Sequence, residues 1–380
     1  MSANPEVSTP AACDGVDERL PTGRLATLGL QHVMVMYAGA VAVPLIIGAA
    51  LGLSKEQIAF LINAGLLCCG VITIIQARGL GIFGIKLPVM MGVSFAAVSP
   101  MIAIGLDPQL GLPGIFGATI LAGIFSILIA PVFSRLMGLF PPVVTGIIIT
   151  VIGVTLMRVG LNWIGGGAPT ITDPATGMSI PNPEYGSLEN LGIALMVLTV
   201  ILLITKFARG FLANVAVLIG LLVGFFVSLA MGRITFDGLD QTSWFAIVTP
   251  FHFGVPTFSW ALLGAAAVLS LIMVVIMVES LGMFLALGSI CGRPTDREAL
   301  VRGLRTDGLG TLVGGIMNTF PHSSFSQNVG LVSVTGVRSR WVCVMGGAFL
   351  IMLGLFPKMA FIVASIPNYV LGGAGVGMFG

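Results

Sequence analysis

A few side chains stand where an otherwise apolar chain has little reason to keep them. Glu279 sits in LSLIMVVIMVESLGMFLALG, Gln327 and Asn328 in SSFSQNVG, His32 in GLQHVMVMYAG and Asp307 in LRTDGLGT. A carboxylate in an apolar run is costly unless it is protonated or paired, so Glu279 is a candidate to carry a proton and to bind a polar ligand. The same group would equally serve by holding two helices together or by reaching out to an interface. Gln327 offers a donor and an acceptor on one planar head, which suits a ring edge that presents the complementary pair. With Asn328 it would also serve as glue between helices. His32 and Asp307 are further titratable groups in unusual places, whose plain readings are a satisfied structural histidine and a helix cap. His322 is a possible relay by position, and equally inert if its loop is wet.

These residues must be positioned by elements that are not ordinary spans. Between Thr319 and Arg340 the chain reads TFPHSSFSQNVGLVSVTGVRSR, with Ser323, Ser324, Ser326, Gln327 and Asn328 enclosed by apolar runs. Unsatisfied polar groups in hydrocarbon cost several kcal/mol each, so this window packs inside the protein or lines a wet cavity. Pro321 and Gly330 argue against one straight helix there. A second interrupted stretch, 87–104, holds Pro88, Gly92, Ser94, Ser99 and Pro100. Two interrupted elements separated by full spans are the pattern of inverted structural repeats with a binding site between the breaks.

Composition sets the class. The chain has 380 residues, 56% hydrophobic and 8% charged, against roughly 25% charged in soluble domains, which makes it a polytopic membrane protein. A net charge of +2 without a basic tract gives no reason to expect a nucleic-acid partner. Residues 1–24 are polar and lack an apolar core, so they are expected to be a cytoplasmic tail and not a cleaved signal. The five cysteines, at 13, 68, 69, 291 and 343, have no metal-ligand spacing, and neither a metal nor a cofactor is expected.

Runs of about 20 apolar residues suffice to span a bilayer. They are read at 25–47, 57–77, 111–131, 139–157, 190–205, 211–232, 260–287, 341–357 and from 359 onward. The 308–337 region reads as two short crossings joined near Pro321. With the N-terminus inside, 13 of the 17 basic residues fall on the cytoplasmic side and only Lys55, Arg158, Arg233 and Lys358 outside, as the positive-inside rule requires.

Gln327, Asn328, Gly330, Thr335 and Gly336 fill a motif of five specified positions in ten: Gln, Glu or Pro; Asn; any residue; Gly; four of any kind; Thr; then Arg, Lys or Gly. On this motif the chain resembles the nucleobase–ascorbate transporter family over nearly its whole length. ESLGMFLALG from Glu279, LQHVMVMYAGAVAVPL and SWFAIVTP are most similar to its bacterial urate and xanthine permeases. The resemblance implies an all-α polytopic fold of two inverted seven-span repeats, whose third and tenth spans are broken by short antiparallel strands. On that plan the chain is expected to end after about 12 of 14 spans. It also implies a division into a tail (1–24), a first core segment (25–135), a first gate segment (136–258), a second core segment (259–358) and the start of a second gate segment (359–380).

For the site, the resemblance implies purine contacts from Glu279 and Gln327, with Ser94 and Phe95 on the facing strand and Asn328 and Ser326 beside the glutamine. It implies proton coupling through Glu279, Asp307 and His32. Met283, one turn after Glu279, stands where other members have an Asp or a His, and would face urate without the repulsion of a second carboxylate. The implied activity is proton-coupled purine symport, urate first and xanthine second, by a multi-pass homodimer in the bacterial inner membrane. The rival reading is an anion carrier, of sulfate or bicarbonate type, on the same inverted-repeat plan. No HExxH and no nucleophile with a paired base argue for an enzyme.

Overall fold

The structure is a computed structural model that describes residues 15–135, 142–167, 170–172, 179–182, 185–256 and 259–379. The start of the expected tail, with Cys13, lies outside the described residues, as does the expected core–gate boundary at 135/136 on its gate side.

The helices are α1 (Thr22–Ala50), α2 (Lys55–Arg78), α3 (Val98–Leu106), α4 (Gly111–Phe133), α5 (Pro142–Ile164), α6 (Leu188–Phe207) and α7 (Phe211–Asn214). They continue as α8 (Ala216–Ala230), α9 (Trp260–Cys291), α10 (Arg297–Ile316), α11 (Ser326–Thr335), α12 (Arg340–Gly354), α13 (Pro357–Ala364) and α14 (Asn368–Phe379). Among the described residues, six helices are long and apolar enough to cross a membrane, seven if the pair α12 and α13, bent by 82°, is one span. Helices suit this solvent because each backbone group is satisfied within its own segment. Their ends follow local chemistry. Ser54 and Gln57 form a capping box on α2, the Ser259 hydroxyl accepts from Leu262 N at the start of α9, and Gly292 closes α9 in the left-handed region.

Three expectations need correction. The 308–337 region is not two short crossings, because its first half belongs to α10, a 20-residue helix that begins at Arg297. The charged opening turns of α10 hid it from a search for apolar runs. Asp307 is therefore mid-helix, and the cap is Asp296, whose Oδ1 accepts from Ala299 N at 2.7 Å. Likewise the run expected to end at 357 bends after Gly354.

Among the described residues, four strands accompany the helices: β1 (Met91–Val93), β2 (Thr170–Thr172), β3 (Ser179–Pro181) and β4 (His322–Ser324). β2 and β3 form a hairpin in the loop after α5. β1 and β4, one from each interrupted stretch, pair antiparallel in the register Met91↔Ser324, Gly92↔Ser323, Val93↔His322. Phe325 N donates to Met90 O at 2.9 Å and Ser94 N to Pro321 O at 2.8 Å, which extends the ladder at both ends.

The helices pack in two groups. One joins α1, α2, α4, α9, α10 and α12 around the strand pair, and the other joins α5, α6, α8 and α14. Small residues set the closest approaches within the first group, as membrane helix packing favours. A side chain at Gly123 or Gly315 of the α4–α10 contact would press on the partner backbone, and so would one at Gly70 or Gly354 between α2 and α12. At β1 the need is stricter, because a Cβ on Gly92 would overlap the Phe325 ring that lies across the strand.

At the end of the bundle where α2 stops, the segment before α1 is strapped down. Arg340 N donates to Val16 O and Ser339 Oγ to Glu18 O, while the Asp17 carboxylate accepts from Arg340 and, at 3.1 Å, from Arg293. Partial burial alone would raise the Asp17 carboxyl, but the Arg340 and Arg293 guanidinium groups outweigh it and hold it below the ordinary 3.8. The tether is therefore complete above about pH 3.8 and weakens as the pH falls through the lower folded value.

Two outcomes follow from this packing. Gly92→Ala should lower the thermal unfolding midpoint, with an overpacking cost of about 1–3 kcal/mol, whereas Gly264→Ala, with open space at its Cβ, should not. Asp17→Asn should speed amide hydrogen exchange in residues 15–19 at neutral pH; unchanged protection would show that the carboxylate does not hold the strap.

Candidate functional site

The strand pair ends in two helix starts. Past β1 the chain makes a 3-10 turn at Phe95–Ala97 and enters α3, and past β4 it turns at Phe325 into α11, whose first residues are Ser326 and Gln327. No side chain caps α11, so its first backbone N–H groups and their partial positive charge face the space in front of the strands. That space is a cavity of about 170 Å³. Its walls are Val93, Ser94, Phe95 and Ala96 on one side, Ser323 to Gln327 on another, Glu279 from α9, Ile149, Ile152, Gly153 and Leu156 from α5, and Met378 from α14.

Of the residues expected at a site, Glu279, Gln327, Ser326, Ser94 and Phe95 thus share one cavity. Gln327 and Ser326 are exposed to it, with the Ser326 hydroxyl 3.4 Å from Gln327 Oε1. Glu279 is half-buried on α9, opposite the strands. The Gln327 amide keeps hydrogen-bonding capacity for a ligand, Glu279 supplies a carboxyl, Phe95 a ring face, and the α5 residues close the cavity with an apolar wall.

Four expected residues stand elsewhere. Met283, one turn after Glu279 on the same face of α9, is buried and is not among the residues that line the cavity. Asn328 points away from Gln327, as neighbours on a helix do. Its Nδ2 donates to His32 O at 3.0 Å and lies 3.1 Å from His32 Nδ1, which ties α11 to α1 behind the cavity. His32 is consequently a buried partner of that amide and touches no cavity space.

Asp307 is fully buried on α10. Its Oδ1 accepts from Ser324 Oγ and from Gln76 Nε2, each at 3.4 Å. Since Ser324 lines the cavity, Asp307 stands one hydroxyl behind the wall. His322, also buried, bonds Phe320 O through Nδ1 at 2.8 Å and meets Cys69 Sγ through Nε2 at 3.5 Å, facing away from the cavity.

Gln76 was missed in the sequence. It donates to Gly303 O and Asp307 Oδ1 and accepts from Ile85 N, so it joins α2, α10 and the start of the first interrupted stretch. A lone amide in the apolar run GVITIIQARG was the available signal. Nothing in the sequence marked the α5 and α14 wall, which is apolar like any lipid-facing helix.

Comparison with known proteins bears on this arrangement. Residues 23–380 match the model of a family described as the Permease family. The uric acid transporter UacT of Escherichia coli (strain K12) is 55% identical over 368 residues, covering 97% of this chain and 73% of that protein. The xanthine permease of Bacillus subtilis (strain 168) is 43% identical, covering 94% of this chain and 78% of that one. Among solved structures, the transmembrane domain of a cyanobacterial bicarbonate transporter, BicA, superposes with a TM-score of 0.69 at 18% identity over 96% of this chain and 90% of that one. At that identity the likeness is one of fold.

Asn328→Ala should free α11 from α1 and destabilise the protein by about 1–3 kcal/mol through lost buried hydrogen bonds, read as a lower unfolding midpoint. A midpoint equal to that of the parent chain would show that α11 is held by other contacts.

Proposed function

The chain belongs to this permease family, that of the nucleobase–ascorbate transporters, a family of multi-pass membrane transporters and not of enzymes, and on that premise we propose that it takes up a purine, urate first and xanthine second, by proton-coupled symport. The observation that carries this reading is the shared cavity of Glu279, Gln327, Ser326, Ser94 and Phe95 at the paired strands. A purine presents adjacent N–H donors and carbonyl acceptors on its edge, which match the Gln327 amide and the Glu279 carboxyl. Phe95 stacks on the ring face, a contact of about 1–3 kcal/mol in other base-binding proteins. The α11 N-terminus favours the partial or full negative charge of urate.

Coupling follows from the carboxyls. Glu279 accepts a proton as the purine binds and releases it on the far side, and Asp307, joined to the cavity wall through Ser324, exchanges charge with it. Gln76 and the His32–Asn328 pair position these groups. Met283, packed one turn from Glu279, keeps a second carboxylate out of this region.

Alternating access moves the group of α5, α6, α8 and α14, the gate, against the group that carries the strands, the core. The α5 wall of the cavity is then the surface that opens and closes. The N-terminus is cytoplasmic, and the working unit in the inner membrane is a homodimer. The rival anion carrier has only the shared fold to support it, and a carboxyl in the cavity opposes it.

Uptake of radiolabelled urate and xanthine into cells, with and without a protonophore, tests the proposal. Glu279→Gln and Gln327→Ala should each abolish uptake while reaching the membrane in normal amounts, and the protonophore should abolish uptake by the parent chain. Normal uptake by both variants, or entry of neither purine, would reject this site.

A further inference from the structure

A second cavity, of about 280 Å³, lies at the end of the bundle where α2 stops and α10 begins. Its lining carries three cations, Lys86, Arg293 and Arg302, and two carboxylates, Asp296 and Glu298. Asp17 and Arg293 meet at 3.1 Å beside it, and Arg302 Nε is buried without a hydrogen-bond partner among the described residues. We propose that this cavity binds the head group of an aminophospholipid, its phosphate against Lys86 and Arg302 and its ammonium against Glu298.

The mouth of the cavity points to a lipid. After α2 the chain makes a tight turn in which Leu80 and Phe83 exchange both backbone hydrogen bonds at 2.9 Å. Gly79, Gly81 and Gly84 take left-handed φ values of 83°, 55° and 92°, which lets the turn close. Gly84 N donates to Thr306 Oγ1 at 2.7 Å, pinning the turn to α10 at the cavity wall, and the Lys86 stem folds back over Gly79. The turn's tip presents Leu80 and Ile82 at 62% and 54% exposure. Two large aliphatics on a pinned turn fit insertion at the acyl boundary of a bilayer, and a basic cavity immediately behind them lies at head-group depth.

The same end carries Trp341 with the Arg19 and Arg340 guanidinium groups over its ring at 4.5 and 5.1 Å, the pairing expected of an interfacial anchor. The charge pattern selects among head groups. A phosphate alone would satisfy the cations and leave Glu298 facing it; a phosphoethanolamine satisfies both signs. Choline cannot donate hydrogen bonds to the carboxylate, and glycerol brings no cation.

The test is native mass spectrometry of the full chain released from detergent containing equal amounts of phosphatidylethanolamine, phosphatidylglycerol and phosphatidylcholine, beside thermal shift with inorganic phosphate. The parent chain should retain phosphatidylethanolamine preferentially. The double variant Lys86→Gln, Arg302→Gln should retain about tenfold less of it, and Glu298→Gln should lose the preference over phosphatidylglycerol. Equal retention of all three lipids by the parent chain overturns the proposal. So does a preference unchanged in Glu298→Gln, an exposed position whose substitution spares the fold and which decides the matter if the double variant does not fold. Protection by inorganic phosphate equal to that by the lipid would make the ligand a free anion and likewise overturn it.

Discussion

In an apolar solvent a broken helix leaves backbone donors and acceptors that nothing outside the protein can satisfy, and the antiparallel pairing of Met91–Val93 with His322–Ser324 is where this chain repairs that loss. Each break satisfies the other, so neither interrupted stretch is tenable alone. The rest of the architecture serves this contact. Gly92 leaves room for the Phe325 ring, Thr73 Oγ1 accepts from Met91 N at 2.9 Å, and Thr311 Oγ1 accepts from His322 N at 3.1 Å. The packed helices α2 and α10 thus clamp the pair from its two outer sides.

Because the breaks coincide, their helix starts also coincide, and a ligand space arises with polar ends already aimed at it. Polar side chains near that space divide by the face they occupy. On α11, Gln327 faces the cavity while Asn328, one residue on, holds α1; on α9, Glu279 faces it while Ser280, one residue on, is buried. The cavity-facing groups are backed by a layer of hydrogen-bonded partners, of which Asp307 and Gln76 are the most connected. A helix that carries one group to a ligand must present the next to its neighbours, and this chain uses both faces.

The shared fold with a bicarbonate transporter domain at 18% identity shows how little the scaffold specifies. In this chain a carboxyl and an amide are the polar side chains that the scaffold brings to the cavity, with the hydroxyls of Ser94, Ser323, Ser324 and Ser326. Identity of 55% to a uric acid transporter bears on those side chains, where the fold does not.

The sequence by itself determined that the protein lives in a membrane and marked Glu279, Gln327 and two interrupted stretches as places of interest, because each of those signals is local. That Ser326, Ser94 and Phe95 stand with them was implied by the family resemblance, and the fold lines one cavity with all five. An unpaired carboxyl in an apolar run, a proline within a polar cluster and a five-position motif are read without knowing what lies across from them. The tertiary structure alone decided that α5 and α14 close the cavity, since an apolar wall looks like any lipid-facing helix until it is packed. It alone moved Asp307 from a helix start to a buried junction, because the charged first turns of α10 mask a helix to any search for apolar length. It alone brought Gln76 to Asp307, which stands 231 residues away along the chain. Direction and partnership across such distances are properties of packing, and no local pattern encodes them.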